Sequence, residues 1–180
     1  MSTYTEQEIK ILDVNPKELQ AKLEEMGAKK VYDADRVFTT FDTPDRKYTA
    51  QNTIIRLTEE EKLKLTCRTW NKDGRKDSVK VFTSRKQETV DFLDRLGLSP
   101  ITEVKSHRVS YELGEGNVVD IDIDEFPGIP SFVEIDLEFL PVPLEEFLAK
   151  LGLAGREPMD ITTEGIYSYY EKDYFELFKV

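Results

Sequence analysis

Hydrophobic and polar residues alternate along most of the chain, a pattern typical of β-strands with one apolar face. In the first such segment Glu6, Glu8 and Lys10 share one face, whereas Ile9 and Ile11 share the other. Turn-forming residues separate the segments. The pattern predicts eight strands: Tyr4–Val14, Lys29–Phe41, Thr53–Thr58, Lys62–Trp70, Asp77–Thr83, Ile101–Leu113, Asn117–Glu125 and Ser131–Phe139.

Helical spacing occurs in only a few places. In the first helical segment Leu19 and Leu23 lie four residues apart, with Pro16 at the start and Gly27 after the end. Ser84 is expected to cap the second helix. The predicted helices are Lys17–Met26, Arg85–Leu96, Leu144–Leu151 and Thr163–Phe178.

Four of the predicted strands pair a dense ionic face with a clean aliphatic face. Acids dominate the ionic faces of the first, seventh and eighth strands, whereas bases dominate the fourth. The ionic faces could meet water on a half-buried sheet, or they could line the inside of a closed barrel with helices over its apolar outside. The segregation of the two signs favours the enclosed face, because like charges on neighbouring strands destabilise a sheet unless something lies between them.

Composition limits the classes of function. The 180 residues suit one domain, here taken as 1–180, and no apolar run reaches the length of a membrane span. The net charge of −11 argues against nucleic acid and membrane as partners. Cys67 is the only cysteine, and with no signal segment at the N-terminus a reducing cytoplasm is the expected location.

Several motifs in the chain follow one another in the order found in a known family. The sequence resembles the CYTH family, the triphosphate tunnel metalloenzymes that include class IV adenylyl cyclases, thiamine triphosphatases and inorganic triphosphatases. The likeness covers residues 6–140 and resumes in the tyrosine-rich C-terminal segment. The motifs that carry it are Glu6-Gln7-Glu8-Ile9-Lys10, Phe41-Asp42-Thr43-Pro44-Asp45, Ile55-Arg56-Leu57, Leu65-Thr66-Cys67-Arg68, Asp124-Glu125-Phe126-Pro127-Gly128 and Phe132-Val133-Glu134-Ile135-Asp136.

The resemblance implies an α+β fold in which an eight-stranded antiparallel β-barrel, the triphosphate tunnel, carries helices on its outside. It implies catalysis by Glu6, Glu8 and Lys10. It implies Mg²⁺ or Mn²⁺ as the cofactor, with hard oxygen ligands from Glu6, Glu8, Asp124, Glu134 and Asp136. Phosphate oxygens would be bound by the bases Lys10, Arg36, Arg56, Lys64, Arg68 and Arg108.

The expected substrate is a small triphosphate: ATP, tripolyphosphate or thiamine triphosphate. Hydrolysis and class IV-type cyclisation of ATP both stay open, as do a monomer and a homodimer.

The chain departs from the family pattern at several positions. Thr58 and Ser106 stand where the family has bases, whereas Lys80 and Phe82 stand where it has acids on the fifth strand. Asp136 is a shorter acid than usual. These departures are the reason for keeping an alternative to the enzyme, a barrel that binds a phosphate or nucleotide without turning it over.

The remaining conspicuous residues have structural interpretations. His107 alternates with Arg108 and is expected on the outer face. Cys67 is expected to be buried, and Trp70 and the C-terminal tyrosines are expected to pack against helices.

Overall fold

The computed structural model describes residues 8–71 and 76–180. Over these ranges the strands are β1 Glu8–Ile11, β2 Lys29–Asp42, β3 Thr53–Glu59, β4 Leu63–Trp70, β5 Lys76–Thr83, β6 Ser99–Leu113, β7 Val119–Glu125 and β8 Phe132–Asp136. The helices are α1 Pro16–Glu25, α2 Lys86–Arg95, α3 Leu144–Lys150, α4 Thr163–Tyr169 and α5 Tyr174–Leu177, and a 3₁₀ turn spans Thr49–Gln51. No helix among the described residues has the length and apolar character that crossing a membrane requires.

All eight strands form one sheet in the order β1-β8-β7-β6-β2-β3-β4-β5, with β1 and β5 at the two ends of that order. The paired strands whose register is defined run antiparallel. The prediction of an α+β fold with eight antiparallel strands is therefore confirmed.

Two helix predictions are wrong in detail. The segment predicted as Thr163–Phe178 is two helices, because Glu171 has a left-handed backbone (φ 57°) and the Asp173 side chain caps a new helix. Ser84 is not the cap of α2: the cap position falls on Arg85, one residue later, and no side chain caps the helix there. Asn15 does cap α1, accepting from the backbone N–H of Lys17 and Glu18.

The chain divides into two compact units. The first unit contains residues 36–71, 76–105 and 173–180 of the described chain, and the second contains 8–35 and 106–172. The boundary passes through β2 between Asp35 and Arg36 and through β6 between Lys105 and Ser106.

In the second unit, helices cover the aliphatic face of the sheet. Alternate residues of β1, β6, β7 and β8 supply the sheet side of this core, including Ile121 and Ile135, which are fully buried. From the helices, Leu23 of α1 and Phe147 and Leu148 of α3 join it. Because helices bury this apolar face, the hydrophobic core of the unit does not involve the opposite, charged face of the same strands.

In the first unit, the apolar face of the sheet packs against one helix. Phe41, Ile55 and Leu57 form this core with Leu93 of α2 and Leu98, just before β6. The opposite face of β3 and β4 is therefore turned away from α2.

Asp42, at the end of β2, organises the loop that follows. Its buried carboxylate accepts hydrogen bonds from the backbone N–H of Thr43 at 2.7 Å, Tyr48 at 3.0 Å and Thr49 at 2.9 Å. Burial opposes ionisation, but a hydrogen bond from the Thr49 hydroxyl and these backbone bonds outweigh it and lower the pKa of Asp42. One buried side chain thus satisfies backbone groups of a loop with no regular structure beyond its 3₁₀ turn.

Candidate functional site

The second unit carries a buried cluster of opposite charges on the polar face of its strands. Arg108 of β6 donates through Nε to Asp124 at 2.7 Å and through Nη2 to Glu134 at 2.6 Å, and it also bonds Asp122. Asp124 is 0% exposed. The strand register explains why these side chains are close together, because Arg108 lies opposite Asp124 and Asp122 lies opposite Glu134.

Lys10 extends the cluster onto β1. Its Nζ lies 3.1 Å from Oε1 of Glu134 and 3.4 Å from Oε1 of Glu8, and the residue is 4% exposed. Lys10 lies opposite Glu134, and Glu8 lies opposite Asp136. Four neighbouring strands therefore place acids and bases on one side of the sheet.

The ionisation of the cluster follows from these contacts. Burial alone would raise the pKa of Glu134, but the charges of Arg108 and Lys10 outweigh it and hold that pKa well below its usual value. Burial opposes the charge of Lys10, and Glu134 and Glu8 still raise its pKa. Both bases of the cluster and Glu134 are therefore charged at neutral pH.

An excess of carboxylates remains at one end of this face. Burial raises the pKa of Asp120, and the nearby carboxylates Asp122, Glu112 and Asp136 raise it further. Carboxylate oxygens are the ligands that Mg²⁺ and Mn²⁺ prefer, and a cation would relieve this repulsion, so the donor set suits such an ion chemically. No group of three or more histidine, cysteine or carboxylate side chains within 8–71 and 76–180 has the spacing of a formed metal site.

The first unit carries a basic face on the side of its sheet turned away from α2. Cross-strand register puts Thr40 opposite Arg56, Arg56 opposite Thr66 and Thr58 opposite Lys64, so these residues share that face. Two guanidinium groups lie over one ring: Cζ of Arg36 is 4.8 Å and Cζ of Arg56 is 4.6 Å from the ring centroid of Phe38. Two like charges near one ring repel each other, and an anion bound to both would offset that repulsion.

Several polar atoms of this basic face have no hydrogen-bond partner in the described part of the chain. They are Nε of Arg56 and Oγ1 of Thr40 and of Thr58, all buried. Buried polar groups in native proteins are nearly always bonded, so unbonded ones indicate a place for a ligand. Lys64 differs from Arg56, since its Nζ is 2.5 Å from Oε1 of Glu60.

The structure brings the predicted site residues together in two sets. Lys10, Glu8, Arg108, Asp124, Glu134 and Asp136 lie on the polar face of the second unit, and Arg36, Arg56, Lys64 and Arg68 lie on the basic face of the first. Glu6 lies outside the described residues. The catalytic, phosphate-binding and metal-binding roles of these residues stay predictions.

Sequence reasoning missed three participants. Asp122 was seen only as part of an alternating acidic strand, yet it bonds Arg108. Thr40 was not singled out, and Thr58 was noted only as standing where the family has an arginine. The signal for all three was the parity of their positions, which puts them on the same face as the basic and acidic residues.

The interpretation of Cys67 is wrong and that of His107 is confirmed, whereas packing of Trp70 against a helix stays a prediction. Cys67 is exposed, because it faces Val79 of the terminal strand β5, which is 64% exposed. Trp70 shares the parity of Arg68 and so lies on the basic face, on the side away from α2. His107 does lie on the outer face, where Nδ1 is 2.8 Å from Asp35 and Nε2 is 3.1 Å from Asp33.

The sequence profile of the CYTH domain matches residues 5–142. No curated protein sequence matches the chain.

Solved structures share the fold at low sequence identity. An adenylate cyclase candidate from Vibrio parahaemolyticus has a TM-score of 0.75 at 16% identity, covering 93% of this chain and 99% of that one. An adenylate cyclase candidate from Bacillus halodurans has a TM-score of 0.64 at 16% identity, covering 93% and 100%. A Hippeastrum protein, an adenylyl cyclase candidate described as having a dominant triphosphatase activity, has a TM-score of 0.64 at 16% identity, covering 91% and 95%.

Proposed function

The chain belongs to the CYTH domain family, and from that premise we propose that it is an enzyme acting on a triphosphate. One observation carries the proposal: the basic face holds Arg36 and Arg56 over one ring, and the buried hydroxyls of Thr40 and Thr58 beside them have no hydrogen-bond partner among the described residues. Guanidinium forks and hydroxyl groups are the donors that phosphate oxygens accept from. The names of the similar Vibrio, Bacillus and Hippeastrum proteins agree with this substrate class.

We further propose that Mg²⁺ or Mn²⁺ is the cofactor, held by carboxylates of the second unit: Glu8, Glu134 and Asp136, together with Glu6 and Asp124. When bound, such an ion neutralises part of the charge on phosphate oxygens. Lys10 and Arg108 keep Glu134 ionised, so the carboxylate is ready as a ligand at neutral pH. Arg56 and its neighbours would bind and orient the phosphates.

The test is an activity panel: tripolyphosphate, ATP and thiamine triphosphate, each with Mg²⁺ and with Mn²⁺. Orthophosphate release identifies hydrolysis, and cyclic AMP with pyrophosphate identifies cyclisation of ATP. Glu8→Gln should lower turnover about 100-fold or more, because the amide keeps the shape and loses the charge that holds the ion.

Glu125→Gln is the matched control, since Glu125 lies on β7 but shares the outer face with His107. We expect it to keep wild-type turnover. Equal turnover of Glu8→Gln and wild type would remove Glu8 from the site, and no product from any substrate would remove the enzymatic proposal.

A specific observation favours a second candidate, a triphosphate-binding protein without turnover. Arg108 already bonds Asp122, Asp124 and Glu134, so the chain neutralises much of its own acidic face. Calorimetry separates the two: a binder takes up tripolyphosphate with no product at any metal concentration.

A further inference from the structure

One side of the first unit exposes a group of apolar side chains. On the sheet, Cys67 of β4 is exposed and lies opposite Val79 of β5, and Val81 follows on the same face of β5. Phe92 of α2 and Leu96 at its C-terminal cap lie four residues apart, so they share one side of the helix. The two valines, the phenylalanine and the leucine are each more than half exposed. We call these five residues the side patch.

The valines of the side patch lie on the face of the sheet that α2 covers elsewhere. Val81 is opposite Leu65, and Leu65 is opposite Leu57, so the three share one face across β5, β4 and β3. Leu57 is buried in the core beneath α2, and Leu65 packs against that core. The same apolar face is therefore buried on β3 and exposed on β5.

The helix and strand parts of the side patch lie next to each other. Thr89 of α2 donates a hydrogen bond to Thr83, the last residue of β5, with 3.2 Å between the Oγ1 atoms. Thr89 precedes Phe92 by three residues and Leu96 by seven, so these three residues form one stripe along the helix. Because that stripe borders β5, the exposed side chains of α2 and the valines of the sheet form one surface.

The side patch has the size of an interaction surface. Its five side chains expose roughly 400 Å² of apolar surface, which is within the size range of functional patches on monomers. Two such patches facing each other bury about 800 Å², and with a polar rim about 1,200 Å², the lower limit for specific interfaces. An area of this size suits a weak, reversible dimer.

The charge around the side patch is balanced, unlike that of the whole chain. Residues 77–96 have no formal net charge, whereas the whole chain carries −11. Four acids and four bases balance within that segment: Asp77, Lys80, Arg85, Lys86, Glu88, Asp91, Asp94 and Arg95. Two copies of an acidic protein repel each other least where the local charge is zero. This balance favours a second copy of the chain over an anionic membrane surface or a strongly basic partner.

We propose that the side patch is a homodimer interface, in which the exposed side of α2 in one copy packs against the valines of β5 in the other. A two-fold axis makes this contact reciprocal, because each copy presents both a helix ridge and a strand surface. The basic face lies on the opposite side of the same strands, so the dimer leaves it open. The inference therefore goes beyond the proposed function and does not depend on it.

Sedimentation velocity of the full chain, over about 1 to 500 µM, tests the interface. We expect the wild type to pass from monomer to dimer within this range. Phe92→Gln and Val81→Gln each remove an apolar contact, and each should raise the dimer dissociation constant about tenfold. Circular dichroism checks that the variants are folded.

Phe82→Gln is the matched control. Phe82 is also more than half exposed and follows Val81 directly, but it lies opposite Lys64 on the basic face. We expect this variant to change the dimer dissociation constant by less than about twofold.

Cys67 gives a second readout, because it is the only cysteine of the chain. A thiol reagent should modify it readily in dilute protein. Well above the dimer dissociation constant the rate should fall at least about fivefold, because the second copy covers the thiol. In Phe92→Gln the same protection should require a higher protein concentration.

Wild type that sediments as a monomer over the whole concentration range would overturn the inference. A dimer that Phe82→Gln weakens as much as Phe92→Gln would overturn the assignment to the side patch. A dimer in which Cys67 stays fully reactive would overturn that assignment as well.

Discussion

The polar faces of the two units differ in how their charged groups are paired. In the second unit, the chain supplies its own counter-charges: Arg108 and Lys10 lie within hydrogen-bond distance of Asp124 and Glu134. In the first unit, Arg36 and Arg56 share the ring of Phe38, and buried hydroxyl groups beside them have no partner in the described chain. A self-neutralised face contributes to folding, whereas buried polar atoms without a partner among the described residues indicate a place for a ligand.

The sharpest way to break this comparison is to remove one arginine from each face. Arg108→Ala removes the cation that bonds Asp122, Asp124 and Glu134 and leaves only Lys10 beside Glu134, so we expect a loss of about 3–5 kcal/mol in the free energy of unfolding. Urea unfolding monitored by circular dichroism measures it. Arg108→Lys, which keeps the charge, should recover part of the loss.

Arg56→Ala is the contrasting variant. It removes a cation that has no carboxylate partner among the described residues, so the unfolding free energy should fall by at most about 1 kcal/mol, the value of its contact with Phe38. The dissociation constant of tripolyphosphate should rise about 10- to 100-fold, the value of a charge-assisted hydrogen bond. If Arg56→Ala destabilised the protein as much as Arg108→Ala, the two faces would not differ as described.

Acid titration distinguishes the same two faces. The pKa of Glu134 is lowered in the folded state, so its stabilising contribution is present above its ordinary value of 4.5 and is lost as the pH falls towards the folded value. The stability difference between wild type and Arg108→Ala should therefore narrow below about pH 4.5. A difference that stayed constant into strong acid would contradict the ion pairs.

A smaller effect is expected on the outer face of the second unit. Hydrogen bonds to Asp35 and Asp33 raise the pKa of His107. The imidazolium therefore stabilises the fold below the ordinary pKa of 6.5, and the contribution disappears as the pH rises through the raised value. Because the side chain is more than a third exposed, screening limits the contribution to about 0.2–1 kcal/mol.

His107→Gln should therefore be less stable than wild type at pH 5.5 and equal to it well above the raised pKa, as read from thermal unfolding midpoints. Asp35→Asn should show the same pH dependence. A deficit in His107→Gln that persisted unchanged into alkaline solution would point to lost packing instead of lost charge.

The smallest expected change in stability concerns the apolar faces of the sheet, which helices cover more completely in the second unit than in the first. Two helices cover that of the second unit, whereas in the first Cys67 and Val79 stay exposed beyond the reach of α2. Cys67→Ser should change the unfolding free energy by less than about 0.5 kcal/mol. A thiol reagent should modify one cysteine per chain without denaturant, and a thiol that reacted only after unfolding would restore the original expectation of a buried cysteine.

Much of this structure could be predicted from the sequence, because the face on which a strand residue lies depends only on its position within that strand. The alternation of Glu134 and Asp136 with Ile135, and of Lys64 and Arg68 with Leu65, predicted both the strands and the contents of each face. The same reasoning placed His107 and Arg108 on opposite faces of the sheet, although hydrophobic and polar residues alternate only weakly along that strand.

What the sequence did not reveal depends on partners distant along the chain. Arg108 was expected to bind phosphate, and nothing local showed that register would place it against Asp124 and Glu134. The exposure of Cys67 depends on β5 ending the strand order. The break in the C-terminal helix occurs at Glu171, which has a left-handed backbone. Glycine is the usual residue in that conformation, so a glutamate there gave no signal of the break.

The carboxylate of Asp42 has a consequence for the dynamics of the loop after β2. Amide protons in irregular loops usually exchange with solvent quickly, but those of Thr43, Tyr48 and Thr49 donate to one buried anion. Their exchange then requires the loop to open and expose that charge together with all three amides. We therefore expect residues 43–49 to open as a single cooperative unit, stabilised in the closed state by the ionised carboxylate of Asp42.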